Sequence, residues 1–551
     1  MKKISQAFLK IKKKNSPLIS NIIYGKSLQI IMLVFTLILC GIVLSFKLTN
    51  SSLWYDESIE FFYSKYMLGP VPGGRLTFSM YQRIRSTYQP PLYNILMYFW
   101  LKMNDSEYWF RLAGVFITLI SSIGVYFTVK RKANYYWATV SIILYSFTFM
   151  IYFYAQECAE YNLAMCFLAW TCYFFVRLLD DTELRLINLI LYVLFCVFSV
   201  YSQYGTVFIV LGMTLAVTYH ILKTKNKKNI AQTFGVYLLA IIFAAIPLIK
   251  LFLLPQMKSQ GSIKGLSGTD ITNNFFYDYI LNLYVTFRYL FHYESFLKIA
   301  MIFSVGIICL VFIFSKNYIS KQLIITNILS FSLYYLMVKF GYYANTSYGS
   351  GFGNRWALFL LPVWIISFII ILYDFLSSLL EFVSNLYGNK KNKKIVLKSL
   401  KIVFSFSLLC LSTFYVFTNY KYIKMNWEKD DIRAVANAWY ENEGYNKETL
   451  VHEWSDSGFQ FYLTHNLDYK SDFQDSIKTT GVYIRTVNEN ECYNKILAAY
   501  NGKLPKELYI VGPNGANMNT LETTFLNANY HIDVIYNEGL SKLIYVSFLN
   551  E

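Results

Sequence analysis

Charge is what this sequence has least of. Only 15% of its 551 residues are charged, while 55% are hydrophobic and 19% aromatic. Mean hydropathy is +0.36. Soluble globular domains carry roughly 25% charged residues, so an ordinary soluble enzyme or binding module is excluded. Histidine is scarce, with five in the chain. His220 and His292 have no partner at metal-ligand spacing, and His452, His465 and His531 fall in a polar tail where they read as surface or structural groups. Of the eight cysteines, Cys40, Cys158, Cys166, Cys172, Cys196, Cys309 and Cys410 lie in or beside apolar runs, where a thiol behaves as a small hydrophobe. Cys492 stands alone in the tail, which leaves neither a disulfide framework nor a zinc spacing there. "VGPNGAN", around Gly512, lacks the Gly-Lys-Ser/Thr ending of a phosphate loop. No two halves of the chain repeat.

What is present instead is a series of long apolar runs. Runs of about 18 residues or more read as membrane-spanning helices. Eleven are legible, at roughly 28–48, 111–129, 135–154, 162–179, 187–204, 206–222, 231–254, 298–315, 322–341, 356–376 and 400–418. The first is longer than the apolar core of a signal peptide and more follow, so secretory cleavage is not expected. The formal charge of +17 would suit nucleic acid, but its placement argues against that partner. Lysines and arginines gather at the N-terminus and in the short loops "VKRK" (129–132), "KTKNKKN" (223–229) and "NKKNKK" (389–394), with Lys316 and Lys321 beside another. With eleven spans these segments share one side, and the positive-inside rule makes it cytoplasmic. The 178–186 loop is the weak member, because Asp180, Asp181 and Glu183 dilute Arg177 and Arg185.

Three regions follow: a basic cytoplasmic N-terminus (1–27), a multi-span membrane region (28–420) and a tail (425–551). In the tail "DIRAVANAWYEN" has helical periodicity, and "TLVHEW", "ELYIVGP" and "HIDVIY" read as short strands. The tail is therefore expected to be a small extracytoplasmic α/β domain. The aromatic segment "NNFFYDYILNLYVTFRYLFHYES", within the 255–297 loop, suits helices at the membrane interface.

Five polar constellations fall on the side opposite the lysines: "SSLWYDESIEFFYSKY" (51–66) with adjacent Asp56 and Glu57, "STYQPPLYN" (86–94), "YAQECAEYN" (154–162), "YSQYG" (201–205) and "GFGNRW" (351–356). Each has a bland reading. An Asp-Glu pair after a span is usually a solvated loop. Pro90-Pro91 suits a helix start. Arg355 at a helix edge suits a snorkelling anchor. Together they are what a site at the outer membrane surface needs, since ionisable groups near a bilayer are costly.

In order along the chain these stretches resemble the GT-C membrane glycosyltransferases, in the branch of the protein O-mannosyltransferases and the lipid A aminoarabinose transferase. "WYDESIEFFYSKY" resembles the acidic motif of the family's first external loop, and "YQPPLYNILMYFW" its His-Pro-Pro-Leu segment. "FRLAGVFITLISSIGVYFTVKRK" is similar to the Arg-led second span, "YAQECAEYNLAMCFLAWTCYFF" to the Ser-Gln-Glu-Ala-Arg-x-Tyr segment, and "GNRWALFLLPVW" to the late Arg-Tyr…Leu-Pro span. The likeness covers about 50–420. Gln89 stands where the family usually has His, Ala159 where it has Arg, and Gln203 where His is common.

The resemblance implies a GT-C-like fold and a sugar donor on polyprenyl phosphate, whose phosphate stays at headgroup level. Attack at the anomeric carbon passes through an oxocarbenium-like state, and the weakly nucleophilic acceptor hydroxyl gains from a carboxylate base. Asp56 is the expected base, with Glu57 orienting the loop or binding sugar. Arg355 is the first choice for the leaving phosphate, with Arg83, Arg85 and Arg288 as alternates, because a guanidinium grips phosphate in two prongs. A helix N-terminus at Arg355 would add its dipole. Gln89, Tyr93, Gln156, Glu157, Tyr161 and Gln203 complete the expected substrate-binding set. No cofactor is required, and nothing in the sequence indicates a divalent cation. The expected partners are the polyprenyl-phosphate sugar, membrane lipids and an extracytoplasmic glycan, lipid or protein acceptor. Two other classes fit part of the pattern: a transporter or flippase of lipid-linked sugars, and a non-catalytic lipid-sugar binding protein. A transporter wants polar groups at mid-membrane and on both faces, whereas here they gather on one.

Overall fold

The computed structural model describes residues 26–69, 89–181, 184–259, 274–291, 297–315, 317–343, 353–385, 431–465, 477–479, 494, 496–497, 500–513 and 516–549. The chain divides into two compact units. One comprises Met1–Phe46, Val115–Ala155 and Glu160–Ile423; the other comprises Lys47–Gly114, Gln156–Ala159 and Lys424–Glu551.

The first unit is helical. Seven described helices are long and apolar enough to cross a membrane: Ser27–Leu44, Glu107–Lys132, Glu160–Asp180, Tyr204–Thr224, Lys227–Lys258, Tyr318–Lys339 and Leu360–Phe382. Glu107–Lys132 begins in the second unit and enters the first at Val115. Of the other expected spans, 187–204 and 298–315 are helices of 17 and 18 residues, Leu186–Ser202 and Leu297–Phe314, and 400–418 lies outside the described residues. The expected span 135–154 is two helices, Tyr135–Ser146 and Phe149–Ala155, bent by 67°. Polar groups lie at the break. Thr148 Oγ1 donates to the Leu144 carbonyl at 2.7 Å and Ser146 Oγ meets Ser122 Oγ at 3.0 Å; such side-chain bonds to the preceding turn bend helices. Lys227–Lys258 stays continuous through Pro247. Two π-helical stretches, Ile241–Ala245 and Ile249–Leu253, flank the proline, the wide turns in which a helix absorbs a missing N–H.

The 178–186 loop is neutralised by a neighbour. Arg131 Nε pairs with Asp180 at 3.1 Å, and Arg131 and Lys132 also pair with Asp181 and Asp180. Lys225 Nζ donates to the Asp181 carbonyl at 3.0 Å. Three inter-helix segments thus touch one another.

The second unit is mixed. Its sheet runs β2-β1-β3-β5-β4, with β1 Glu448–Val451, β2 Ile477–Thr479, β3 Glu507–Pro513, β4 Tyr530–Glu538 and β5 Ser541–Phe548. The β1 strand pairs in parallel with β2 and β3, and β5 pairs antiparallel with β3 and β4. The central strand is covered on both faces: Leu508 to Gly512 are all buried, the continuous apolar run of a strand between two helical layers. One face packs Leu450, Ile510, Leu521, Phe525, Ile544 and Val546. On the other, Trp439 of the Ile432–Glu441 helix is fully buried and its Nε1 donates to Thr449 Oγ1 at 2.9 Å.

The rest of this unit comes from the first loop. The Tyr55–Lys65 helix holds Asp56 and Glu57 in its first turn. Leu92–Leu101 starts directly after Pro90-Pro91, as proline's fixed φ and missing N–H favour. The turn 156–159 belongs to the same unit.

Candidate active site

Asp56 and Glu57 are neighbours with opposite fates. Glu57 is 0% exposed. Arg111 grips it with two prongs, Nε to Oε1 at 3.0 Å and Nη2 to Oε2 at 2.7 Å. The backbone N–H of Cys158 donates to the same Oε1 at 3.2 Å. A buried carboxylate needs this much compensation, because an unpaired charge there is very costly. Asp56, one residue earlier and turned about 100° round the helix, is half-buried.

Arg111 is itself only 1% exposed. Its Nη1 reaches Glu107 Oε1 at 2.9 Å and the carbonyls of Leu48 and Ser51 at 3.0 and 2.7 Å; Nη2 reaches the Ser52 carbonyl at 3.0 Å. The second arginine of the cluster comes from the tail. Arg433 Nη2 meets both Glu107 oxygens at 2.8 Å and the Ser51 carbonyl at 3.3 Å, and Nη1 meets the Thr49 carbonyl at 3.1 Å. Tyr462 donates to Glu107 Oε2 at 3.1 Å and accepts the Leu53 N–H at 2.6 Å. Burial, with Glu107 beside it, holds the Tyr462 hydroxyl well above the usual phenol range, so it remains a donor. Two acids and two arginines balance in charge, and the backbone leading into the Asp56 helix is tied down by both guanidinium groups.

Around these, Tyr93 is buried and its neighbour Asn94 donates to Glu60 Oε2 at 2.8 Å. Gln89 and Gln156 are half-buried and Glu157 is 2% exposed, all in the same unit as Asp56. Ala159, at the position of the family's Arg, is buried.

Of the remaining expected residues, Arg355, Gln203, Arg288 and Tyr161 belong to the first unit. Arg355 occupies a 3-10 turn, Gly353–Ala357, and not the first turn of a helix, which begins only at Leu360. The expected dipole contribution at Arg355 is corrected accordingly: Leu358 N–H already closes on the Arg355 carbonyl at 3.2 Å, and Pro362 falls in the first turn of the helix that begins at Leu360. The guanidinium of Arg355 lies 5.5 Å from the Trp356 ring centre. Gln203 is buried and its Nε2 donates to the Trp356 carbonyl at 3.4 Å, the carbonyl that also accepts from Tyr343 at 3.1 Å. The Phe275–Phe291 helix packs against this turn, and its Arg288 is exposed. Gly205 permits the approach: a Cβ there would meet the Tyr343 hydroxyl and stand 2.6 Å from Phe359 Cε1. Tyr161 is buried, edge-on to Tyr154 at 5.0 Å. Arg83 and Arg85 lie outside the described residues. Among the described residues no three His, Cys, Asp or Glu side chains converge, so those residues do not offer a metal-binding set.

Sequence reasoning missed Glu107, Arg433 and Tyr462. Arg111 was visible only as the Arg that leads "FRLAGVF". A charged residue at the mouth of an apolar run was the available signal for Glu107; nothing in the tail marks Arg433 or Tyr462.

The chain matches the model of the dolichyl-phosphate-mannose-protein mannosyltransferase family over residues 88–249. A comparison with curated protein sequences returns no match. Among solved structures, the Archaeoglobus fulgidus oligosaccharyltransferase in complex with Zn and sulfate is similar at a TM-score of 0.50 and 10% identity, covering 93% of this chain and 72% of that one. ArnT from Cupriavidus metallidurans is similar at 10% identity, covering 93% of this chain and 97% of that one, with TM-scores of 0.49 in the apo state and 0.47 bound to undecaprenyl phosphate. The likeness to the oligosaccharyltransferase is one of fold. The chain is a polytopic helical membrane protein with a GT-C-like fold and a small C-terminal sheet.

Proposed function

We propose that this protein is a glycosyltransferase that moves a sugar from a polyprenyl-phosphate donor to an extracytoplasmic acceptor hydroxyl, with Asp56 as the base. The observation that carries the reading is the division of labour in the acidic pair. Glu57 is fully buried and committed to Arg111 and Cys158, while Asp56, in the same first turn, is half-buried and is the carboxylate assigned here to the reactant. The family match over 88–249 supports a polyprenyl-phosphate sugar as donor.

In the step itself the acceptor oxygen attacks the anomeric carbon and the bond from that carbon to the phosphate oxygen breaks. The electron pair leaves on the lipid phosphate, and the acceptor proton passes to Asp56. Charge building on the phosphate calls for a guanidinium. Arg355 is the first choice and Arg288 the next, because Arg288 lies on the helix packed against the Arg355 turn. Gln89, Tyr93, Gln156, Glu157, Tyr161 and Gln203 remain the proposed substrate-binding set. No step runs through a metal.

The test is transfer from a polyprenyl-phosphate sugar by reconstituted protein. Asp56→Asn keeps size and removes the basic oxygen, so kcat should fall at least about 100-fold while donor binding persists. Wild-type turnover in Asp56→Asn would sink the assignment. A lipid-sugar transporter predicts instead no product from wild type and movement of donor between leaflets.

A further inference from the structure

The tail is not a free appendage to the acidic loop. Its Glu453–His465 helix packs along the Tyr55–Lys65 helix and grips it at both ends. Near Asp56, Ser457 Oγ meets Ser58 Oγ at 2.7 Å and the Tyr462 hydroxyl takes the Leu53 N–H. At the far end Phe61 meets Phe461 edge-on at 4.8 Å and His465 at 5.1 Å, while Asp105 joins Lys65 to His465. Gly458 lets this helix sit close against Ile432 of the neighbouring tail helix: a Cβ there would stand 2.9 Å from Ile432 Cγ2 and 3.4 Å from the Leu53 carbonyl. From the preceding tail helix, Ile432–Glu441, Arg433 holds the Thr49 and Ser51 carbonyls and both oxygens of Glu107.

Trp54, which precedes the Asp56 helix, offers no side-chain cap to it. The usual local device for fixing a helix start is missing, and the fixing comes from Arg111 within the loop region and from Arg433 and Tyr462 in the tail. We propose that Arg433 and Tyr462 are positioning residues: the tail sets the orientation of the Asp56 helix, and turnover depends on it although neither residue touches the reacting atoms. This rests on the transferase reading given above. A reacting group displaced by about 1 Å can lose on the order of 100-fold in rate, so a tether that fixes the first turn is felt in kcat before it is felt in donor binding.

The experiment uses the full-length protein in lipid with a polyprenyl-phosphate sugar. Arg433→Ala and Tyr462→Phe should each lower kcat by on the order of 10-fold or more with donor KM held within about 2-fold, and Arg433→Lys should recover part of the loss by restoring charge without the fork. Leu521→Ala, in the sheet core far from the tether, should destabilise the tail yet leave kcat at the wild-type value while the tail stays folded. Hydrogen exchange of peptides spanning 48–66, read without donor on the same samples, should quicken in Arg433→Ala and Tyr462→Phe only. Unchanged kcat in both variants overturns the proposal, as does a kcat loss in Leu521→Ala equal to theirs. If wild-type protein transfers nothing, the transferase reading fails and exchange alone decides the tether: unchanged exchange in both variants overturns it.

Discussion

At the scale of single residues, the acidic pair shows how far a sequence carries a site. Two adjacent carboxylates at the end of an apolar run were legible, and so was the expectation that they point different ways. Adjacent helix positions point about 100° apart, so both cannot face one reactant. What occupies Glu57 was not legible, because Arg111 is 54 positions away and Cys158 is 101 away. Arg355 shows the reverse. The residue was legible, but its helix start was not: "GNRWALFLLP" places Pro362 seven residues after Arg355, and the helix obeys the proline. As the proposed phosphate ligand, Arg355→Ala should raise donor KM about 10-fold, the loss of one charge-assisted contact, with a smaller effect on kcat. Donor kinetics equal to wild type in correctly inserted protein would reduce Arg355 to an anchor against Trp356 and pass the role to Arg288.

At the scale of elements, periodicity found what is local and missed what is paired. "ELYIVGP" coincides with β3, and "DIRAVANAWYEN" brackets the Ile432–Glu441 helix. The β5 strand, "SKLIYVSF", went unread although it joins β3 to β4. Its neighbours are fixed by sheet order, which no local pattern encodes. "TLVHEW" stops as a strand at Val451 because a helix starts at Glu453. His452, between them, is 2% exposed, and burial lowers its pKa to about 4. Unfolded histidine titrates near 6.5. Below that pH the unfolded chain takes up a proton that folded His452 refuses, so this depressed group contributes stability above pH 6.5 that is lost as pH falls toward 4. By pH 5 the loss is about 2 kcal/mol. Resistance of the tail to proteolysis in the full-length protein should therefore drop from pH 7 to pH 5, and His452→Gln should flatten that slope. His465 is shifted the same way by burial, so the slope shrinks without vanishing. Equal slopes in wild type and variant would remove His452 as the cause.

At the scale of the whole molecule, orientation is the last inference. The lysine count assigned sides from composition alone, and the acids of 178–186 were its weak point. The ion pairs from Arg131 and Lys132 match the acids of that loop, Asp180 and Asp181, with cations. In the second unit the first loop, the 156–159 turn and the tail touch one another through Glu57, Cys158, Glu107 and Arg433. These two groups alternate along the chain with spanning helices between them. Positive charge favours the cytoplasm in short loops, and on that ground we propose that the 223–229 segment lies inside and Asp56 with the tail outside. Lys228 and Lys503 are both exposed, so a cysteine at either can be labelled without unfolding. In right-side-out vesicles an impermeant maleimide should label Lys503→Cys above the wild-type background and leave Lys228→Cys unlabelled until detergent is added. The opposite pattern would put the acidic loop in the cytoplasm, where the acceptor would have to be a cytoplasmic molecule and the donor phosphate would have to face the inner leaflet. Labelling of both before detergent would mean that the two groups do not lie on opposite sides, and the alternation of spans between them would be wrong.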